Sequence, residues 1–290
     1  MHAFQGDVAY ALRSWRRRPG PMVAAIAALG LGIGATTAVF SVVSGVLLKP
    51  LPYDHPERIV MVWQDMRARG GPEREWASPG HFIDWRDKAH VFEHVGAVRG
   101  WQPSLTDVPE PERLRGALVS QGYFGALGVA AHLGRVFSAD DDRPGGAATV
   151  ILSHALWMRR FNGDPAIVGR TLSLDGQPTT VVGVMPATFR PPILEADVWA
   201  PLRVNAATAG YGMIVLQVLA RLKPETTLPQ AQAALQALAL QVQEEDPQQR
   251  GARIVLVPLH DDMVGKFRPV LLVLCGAVGL VLLIACANVA

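Results

Sequence analysis

Hydrophobic positions are spread unevenly along the chain. Met22 to Leu48, MVAAIAALGLGIGATTAVFSVVSGVLL, holds no charged residue in 27 positions, and Val270 to Ala290 holds none in 21. A helix rises about 1.5 Å per residue, so roughly 20 apolar residues cross a hydrocarbon core. The pattern predicts membrane helices over 21–48 and 270–290, the second cut short by the end of the sequence. Between them the periodicity becomes that of an ordinary α+β domain. Strands are predicted at Ile59 to Trp63, Arg113 to Val119, Thr149 to Leu152, Val198-Trp199, Met213 to Leu222 and Arg253 to Val257. Asp175-Gly176 marks a hairpin between Thr171 to Leu174 and Thr179 to Val184. Ser78, Ser153 and Thr227 each read as the N-cap of a helix. The helix after Thr227 shows Leu228, Ala231, Leu235, Leu238 and Val242 on one face and stops before Pro247, completing a β-α-β unit with its flanking strands.

The flanks orient the first apolar run. Residues 1–20 form a cytoplasmic amphipathic segment, with Val8, Leu12 and Trp15 on one face and Arg13, Arg16, Arg17 and Arg18 next to the apolar run. Basic residues beside a spanning helix stay inside, so residues 49–269 lie outside the cytoplasm. A signal peptide would have a shorter core and a small-residue cleavage site, and Val46-Leu47-Leu48-Lys49-Pro50 offers none.

Charge changes the picture little. Of 27 basic and 25 acidic residues, 23 and 24 fall within 49–269. A near-neutral domain does not point to nucleic acid. Both cysteines, Cys275 and Cys286, sit in the second apolar run, so no disulfide framework supports the domain.

Candidate chemistry is sparse. Gly30, Gly32 and Ala35 match G-x-G-x-x-A, but an uncharged helix cannot present the solvated face a dinucleotide-binding unit needs. Gly30 and Gly34 instead form G-x-x-x-G, a close-approach face for a neighbouring membrane helix, and Asn288 supplies a polar contact in the second span. His90-Val91-Phe92-Glu93-His94 matches the H-x-x-E-H metallopeptidase motif. It needs a helix and a third ligand, and Gly96 argues against a long helix, so surface histidines are expected. Asp140, Asp141 and Asp142 lack calcium-loop spacing and read as a solvated loop. Ser153-His154 is no dyad, and no phosphate-binding loop is present. No catalytic, metal or cofactor-binding residue is assigned, and the chain is expected not to be an enzyme.

Several segments in fixed order resemble the permease subunits of MacB/FtsX-type ABC transporters. They include LGLGIGATTAVFSVV at Leu29 to Val43, LLKPLPYDHPERIV at Leu47 to Val60, VSQGYFGALGV at Val119 to Val129 and LGRVFSADDD at Leu133 to Asp142. They continue with ILSHALWMRRFNGDPAIVGRTLSLDGQPTTVVGVMP at Ile151 to Pro186, ARLKPETTLPQAQAAL at Ala220 to Leu235 and LLIACANVA at Leu282 to Ala290. The resemblance implies an α+β periplasmic core of two mixed α/β lobes flanked by transmembrane helices in a bacterial inner membrane. It also implies a separate cytoplasmic ABC ATPase and a second permease half or homodimer partner. A periplasmic adaptor or lipoprotein completes the expected partners. The family's half-unit has four spans, so the chain reads as the N-terminal fragment of a longer permease. The rival reading is a two-span receptor with an extracytoplasmic sensor domain.

Overall fold

The computed structural model describes residues 19–45, 51–107, 110–265 and 267–289. The amphipathic segment expected before residue 19 lies outside these residues. The described chain forms two compact units. One contains the long apolar helices, and the other is Leu51–Met263.

In the first unit, helix α1 spans Pro19–Val43 and helix α8 spans Arg268–Val289, 25 and 22 residues long. The hydroxyls of α1 are satisfied within the helix: Thr36 donates to the Gly32 carbonyl at 2.7 Å and Thr37 to that of Ile33 at 2.8 Å. The two helices pack on each other. Among the described side chains, positions withdrawn from solvent recur at helical spacing, including Gly32, Thr36, Val39 and Val43 on α1 and Leu271, Cys275, Val278 and Leu282 on α8. Gly30 and Gly34 lie off that stripe, exposed, with open space where a Cβ would stand. They are therefore free for another helix but do not mediate this pairing. The Asn288 side chain lies outside the described residues. Among the described residues no helix is long and apolar enough to cross a membrane. The spanning role of 21–48 and 270–290 thus rests on sequence hydropathy.

The second unit is built on one 12-stranded mixed sheet. Its strands are β1 Ile59–Asp65, β2 Phe92–Trp101, β3 Ser104–Leu105, β4 Glu112–Arg113, β5 Gly116–Val119, β6 Leu133–Gly134, β7 Thr149–Leu152, β8 Thr171–Leu174, β9 Gln177–Val184, β10 Val198–Pro201, β11 Gln217–Leu222 and β12 Arg253–Pro258. The order is β12-β1-β11-β2-β5-β10-β7-β9-β8-β3-β4, with β6 on β9. The halves expected as two lobes are thus joined by continuous hydrogen bonding. The helices are α2 Pro79–Lys88, α3 Gly122–Leu127, α4 Ala139–Asp142, α5 His154–Phe161, α6 Leu228–Glu245 and α7 Leu259–Val264.

Strand β1 shows how the layers form. Side chains alternate across a sheet, and both faces of β1 are covered. Val60 and Val62 enter a core with Phe82 and Trp85 of α2 and Leu235 of α6. Ile59 and Met61 enter the opposite core with Tyr123, Phe124 and Leu127 of α3 and Trp199 of β10. A third core, under α5, joins Leu156 and Trp157 to Val150, Leu172 and Val181.

The caps lie where the sequence places them. The side chains of Ser78, Ser153 and Thr227 accept hydrogen bonds from the backbone of His81, Leu156 and Gln230. Asp175 and Gly176 take φ 53° and 76° between β8 and β9, as a tight hairpin requires. One expectation is refined and two are corrected. The β-α-β unit is split, because β11 and β12 both pair antiparallel with β1, which lies between them. The strand expected from Met213 begins at Gln217. The loop at Asp140–142 is the short helix α4, closed by a Ser138–Asp141 capping box.

Candidate functional site

The residues that join the sheet to its incoming and outgoing chain form a heavily hydrogen-bonded polar region of the second unit. The incoming strap, residues 51–58, contains Pro52 and Pro56, and His55 takes the left-handed conformation at φ 44° before a 3₁₀ turn at Pro56–Arg58. That backbone presents its carbonyls inward. Arg221 of β11, 4% exposed, meets them. Its Nη2 donates to the Asp54 carbonyl at 2.8 Å, its Nη1 to that of His55 at 3.4 Å, and its Nε to that of Ala126, the penultimate residue of α3, at 3.1 Å. Arg221 sits at a register shift between β11 and β2, where a strand re-aims its side chains. No carboxylate among the described residues forms an ion pair with it. Burial, then the Arg58 charge, lowers its pKa. Gly128 closes α3 at φ 68°, and a Cβ there would stand 2.9 Å from Arg221 Nη2. Beside it, Arg58 donates through Nε to the Leu222 carbonyl at 2.9 Å and pairs with Glu93. Tyr53 donates its hydroxyl to the Arg190 carbonyl at 2.5 Å.

The outgoing chain is held in the same region. β1 begins where β12 ends, with Val60 opposite Pro258. In α7, directly after β12, Asp262 accepts from Trp63 Nε1 and from Arg74 Nη1, both at 2.9 Å. One buried cation and one shielded carboxylate therefore tie the two chain crossings to adjacent strands.

The other candidates disperse. His90 lies in an exposed turn, while Glu93 and His94 fall on strand β2, where consecutive side chains face opposite ways. Glu93 is taken up by Arg58. No three His, Cys, Asp or Glu side chains are grouped to hold a metal among the described residues. Asp141 is buried and bonded by Arg135 and Ser138. Burial would raise its pKa, but those bonds outweigh burial and bring it to about 2. Asp142 accepts from the backbone of Gln121 and Arg203, so the acidic run is a structural knot. Ser153 is occupied as a helix cap.

The sequence reading does not single out a buried cluster around His81, whose Nδ1 lies 2.7 Å from Ser78 Oγ. Nearby, Tyr211 donates to Asp84 at 2.6 Å. Desolvation holds the His81 ring well below its ordinary value, at about 4. The unfolded chain takes up this proton near pH 6.5, the folded chain only near 4. The stability is thus complete above 6.5 and is lost as pH falls toward 4, about 3 kcal/mol in all. His81→Gln is expected to flatten that part of the stability–pH curve, read from urea midpoints at successive pH values. An unchanged slope would show that His81 does not titrate as described.

With this geometry in place, the sequence matches the profile of the MacB-like periplasmic core domain over residues 22–238. The chain belongs to the MacB-like periplasmic core domain family. No curated protein matches it significantly. Among solved structures, a domain described as part of a permease protein from Porphyromonas gingivalis superposes with TM-score 0.55 at 18% identity, covering 71% of this chain and 92% of that one. The periplasmic region of MacB from Actinobacillus actinomycetemcomitans superposes with TM-score 0.52 at 11% identity, covering 73% and 92%. At these identities the likeness is one of fold. The MacB-like match begins within α1 and ends within α6, so it takes in the incoming strap and Arg221. Asp262, on the outgoing side, lies beyond it.

Proposed function

We propose that this chain is part of an ABC transporter permease of the bacterial inner membrane, and that its MacB-like core receives motion from the two helices flanking it. In this reading α1 and α8 span the bilayer with the N-terminus cytoplasmic and residues 49–269 periplasmic. The chain itself catalyses nothing, and ATP hydrolysis belongs to a separate cytoplasmic subunit. A second permease half or a second copy completes the bundle, to which Gly30 and Gly34 offer a face. A periplasmic adaptor or lipoprotein is the expected partner of the core.

The observation that carries this reading is the double anchorage. The incoming strap and the outgoing helix end on neighbouring antiparallel strands, each held by charge-assisted hydrogen bonds, which are about twice as strong as neutral ones. In this reading, motion that reaches the strap or Asp262 passes into the sheet through these bonds. In the assembled transporter, amide exchange over residues 51–65 and 253–264 is expected to change on addition of a non-hydrolysable ATP analogue. In Asp262→Ala the response of 253–264 is expected to be lost while ATPase activity persists. Identical exchange with and without nucleotide in the unaltered protein would overturn the reading.

A further inference from the structure

A cavity of about 260 Å³ opens between the first turn of α5 and the loop at residues 185–197. Its floor is apolar. Met185, Phe189 and Trp199 are 1%, 8% and 1% exposed, and the Phe189 and Trp199 rings lie 5.6 Å apart. The Trp199 indole N–H is buried and has no acceptor among the described residues.

The rim carries both signs of charge. Arg115 reaches Glu195 at 2.7 Å and Asp197 at 3.3 Å, and the side chain of Glu195 is largely exposed. Arg190 donates only to the carbonyls of Ala187 and Phe189, leaving its charge without an acidic partner among the described residues. Size and polarity together restrict the occupant. Pockets for drug-sized ligands run about 300–1,000 Å³, so this one suits a single bulky side chain with its flanking backbone. A peptide backbone, which carries both donors and acceptors, matches a rim of arginines and carboxylates.

We propose that this cavity binds an extended peptide segment that inserts one bulky apolar side chain against Phe189 and Trp199, with its backbone bonded to the charged rim. The site is tied to the strap, because the Arg190 carbonyl on its wall accepts the Tyr53 hydroxyl. The proposal concerns the core alone and stands whether or not the transport reading holds.

The test uses the full 290-residue chain and the Trp199 indole N–H resonance, assigned by its loss in Trp199→Phe. Acetyl-Gly-Phe-Gly-amide is expected to shift that resonance saturably with a dissociation constant of about 1 mM or below. Ala155→Trp, at an exposed lining position, should weaken binding at least ~10-fold, or about 1.4 kcal/mol, with the melting temperature unchanged. No saturable shift would overturn the proposal. So would equal binding of hexanoate or of acetyl-Gly-Asp-Gly-amide, or Ala155→Trp without effect.

Discussion

Alanine at Gly122 is expected to destabilise the core by about 3 kcal/mol or more, among the largest single-methyl effects in the chain. Helix α3 lies directly on strand β2. A Cβ at Gly122 would stand 2.2 Å from the Val95 carbonyl oxygen, and one at Gly96 would stand 2.5 Å from the Tyr123 Cα. These are collisions with backbone, so no rotamer change relieves them. The helix would have to lift, and Tyr123, Phe124 and Leu127, all fully buried, would lift with it. Each such side chain contributes about 1.5–3 kcal/mol by its burial. Gly100 supplies the control. It lies on the same strand with open space at its Cβ, and Gly100→Ala should change stability by less than about 1 kcal/mol. Denaturant midpoints of the two variants decide the matter. Equal shifts would mean that close approach is not why position 122 is glycine.

Arg221→Met should cost about 3 kcal/mol and loosen the strap selectively. Methionine fills the space and removes the expense of a buried charge, but it leaves the carbonyls of Asp54, His55 and Ala126 without their donor. Each unsatisfied buried acceptor costs about 1–3 kcal/mol, and water reaching the exposed strap recovers part of it. Arg221→Lys should restore only a fraction, because one ammonium does not reproduce a planar fork reaching two chain segments. Amide exchange at residues 55–58 should accelerate more than the global unfolding rate in both variants. If Arg221→Met unfolds at the parent midpoint with unchanged exchange, the guanidinium is not what holds the strap.

The two predictions mark different degrees of legibility. The caps at Ser78, Ser153 and Thr227 are local devices, built from side chains that reach backbone groups three residues away, and they are readable from spacing alone. The Asp175-Gly176 hairpin is equally local. Strand β2 is not. It is interrupted by Gly96 and Gly100 and shows no simple alternation, because one face accepts a helix at backbone contact. Its glycines look like breaks in the sequence and are contact surfaces in the fold. The same strand dissolves the H-x-x-E-H motif, which has meaning only on a helix.

The sequence alone determined the two uncharged runs, the near-neutral domain between them, the main helix starts and the family resemblance. These depend on composition and on interactions within a few residues. Only the tertiary structure decided that β1 lies between β11 and β12, that the helix pairing uses Gly32 and not Gly30 or Gly34, and that Arg221 grips the strap. The carbonyl acceptors of Arg221 lie 95, 166 and 167 positions away. A backbone carbonyl has the same chemistry at every residue, so no side-chain pattern announces which ones a buried cation will find. Their meeting follows from strand order and from the bend at His55, both set by how the chain packs as a whole.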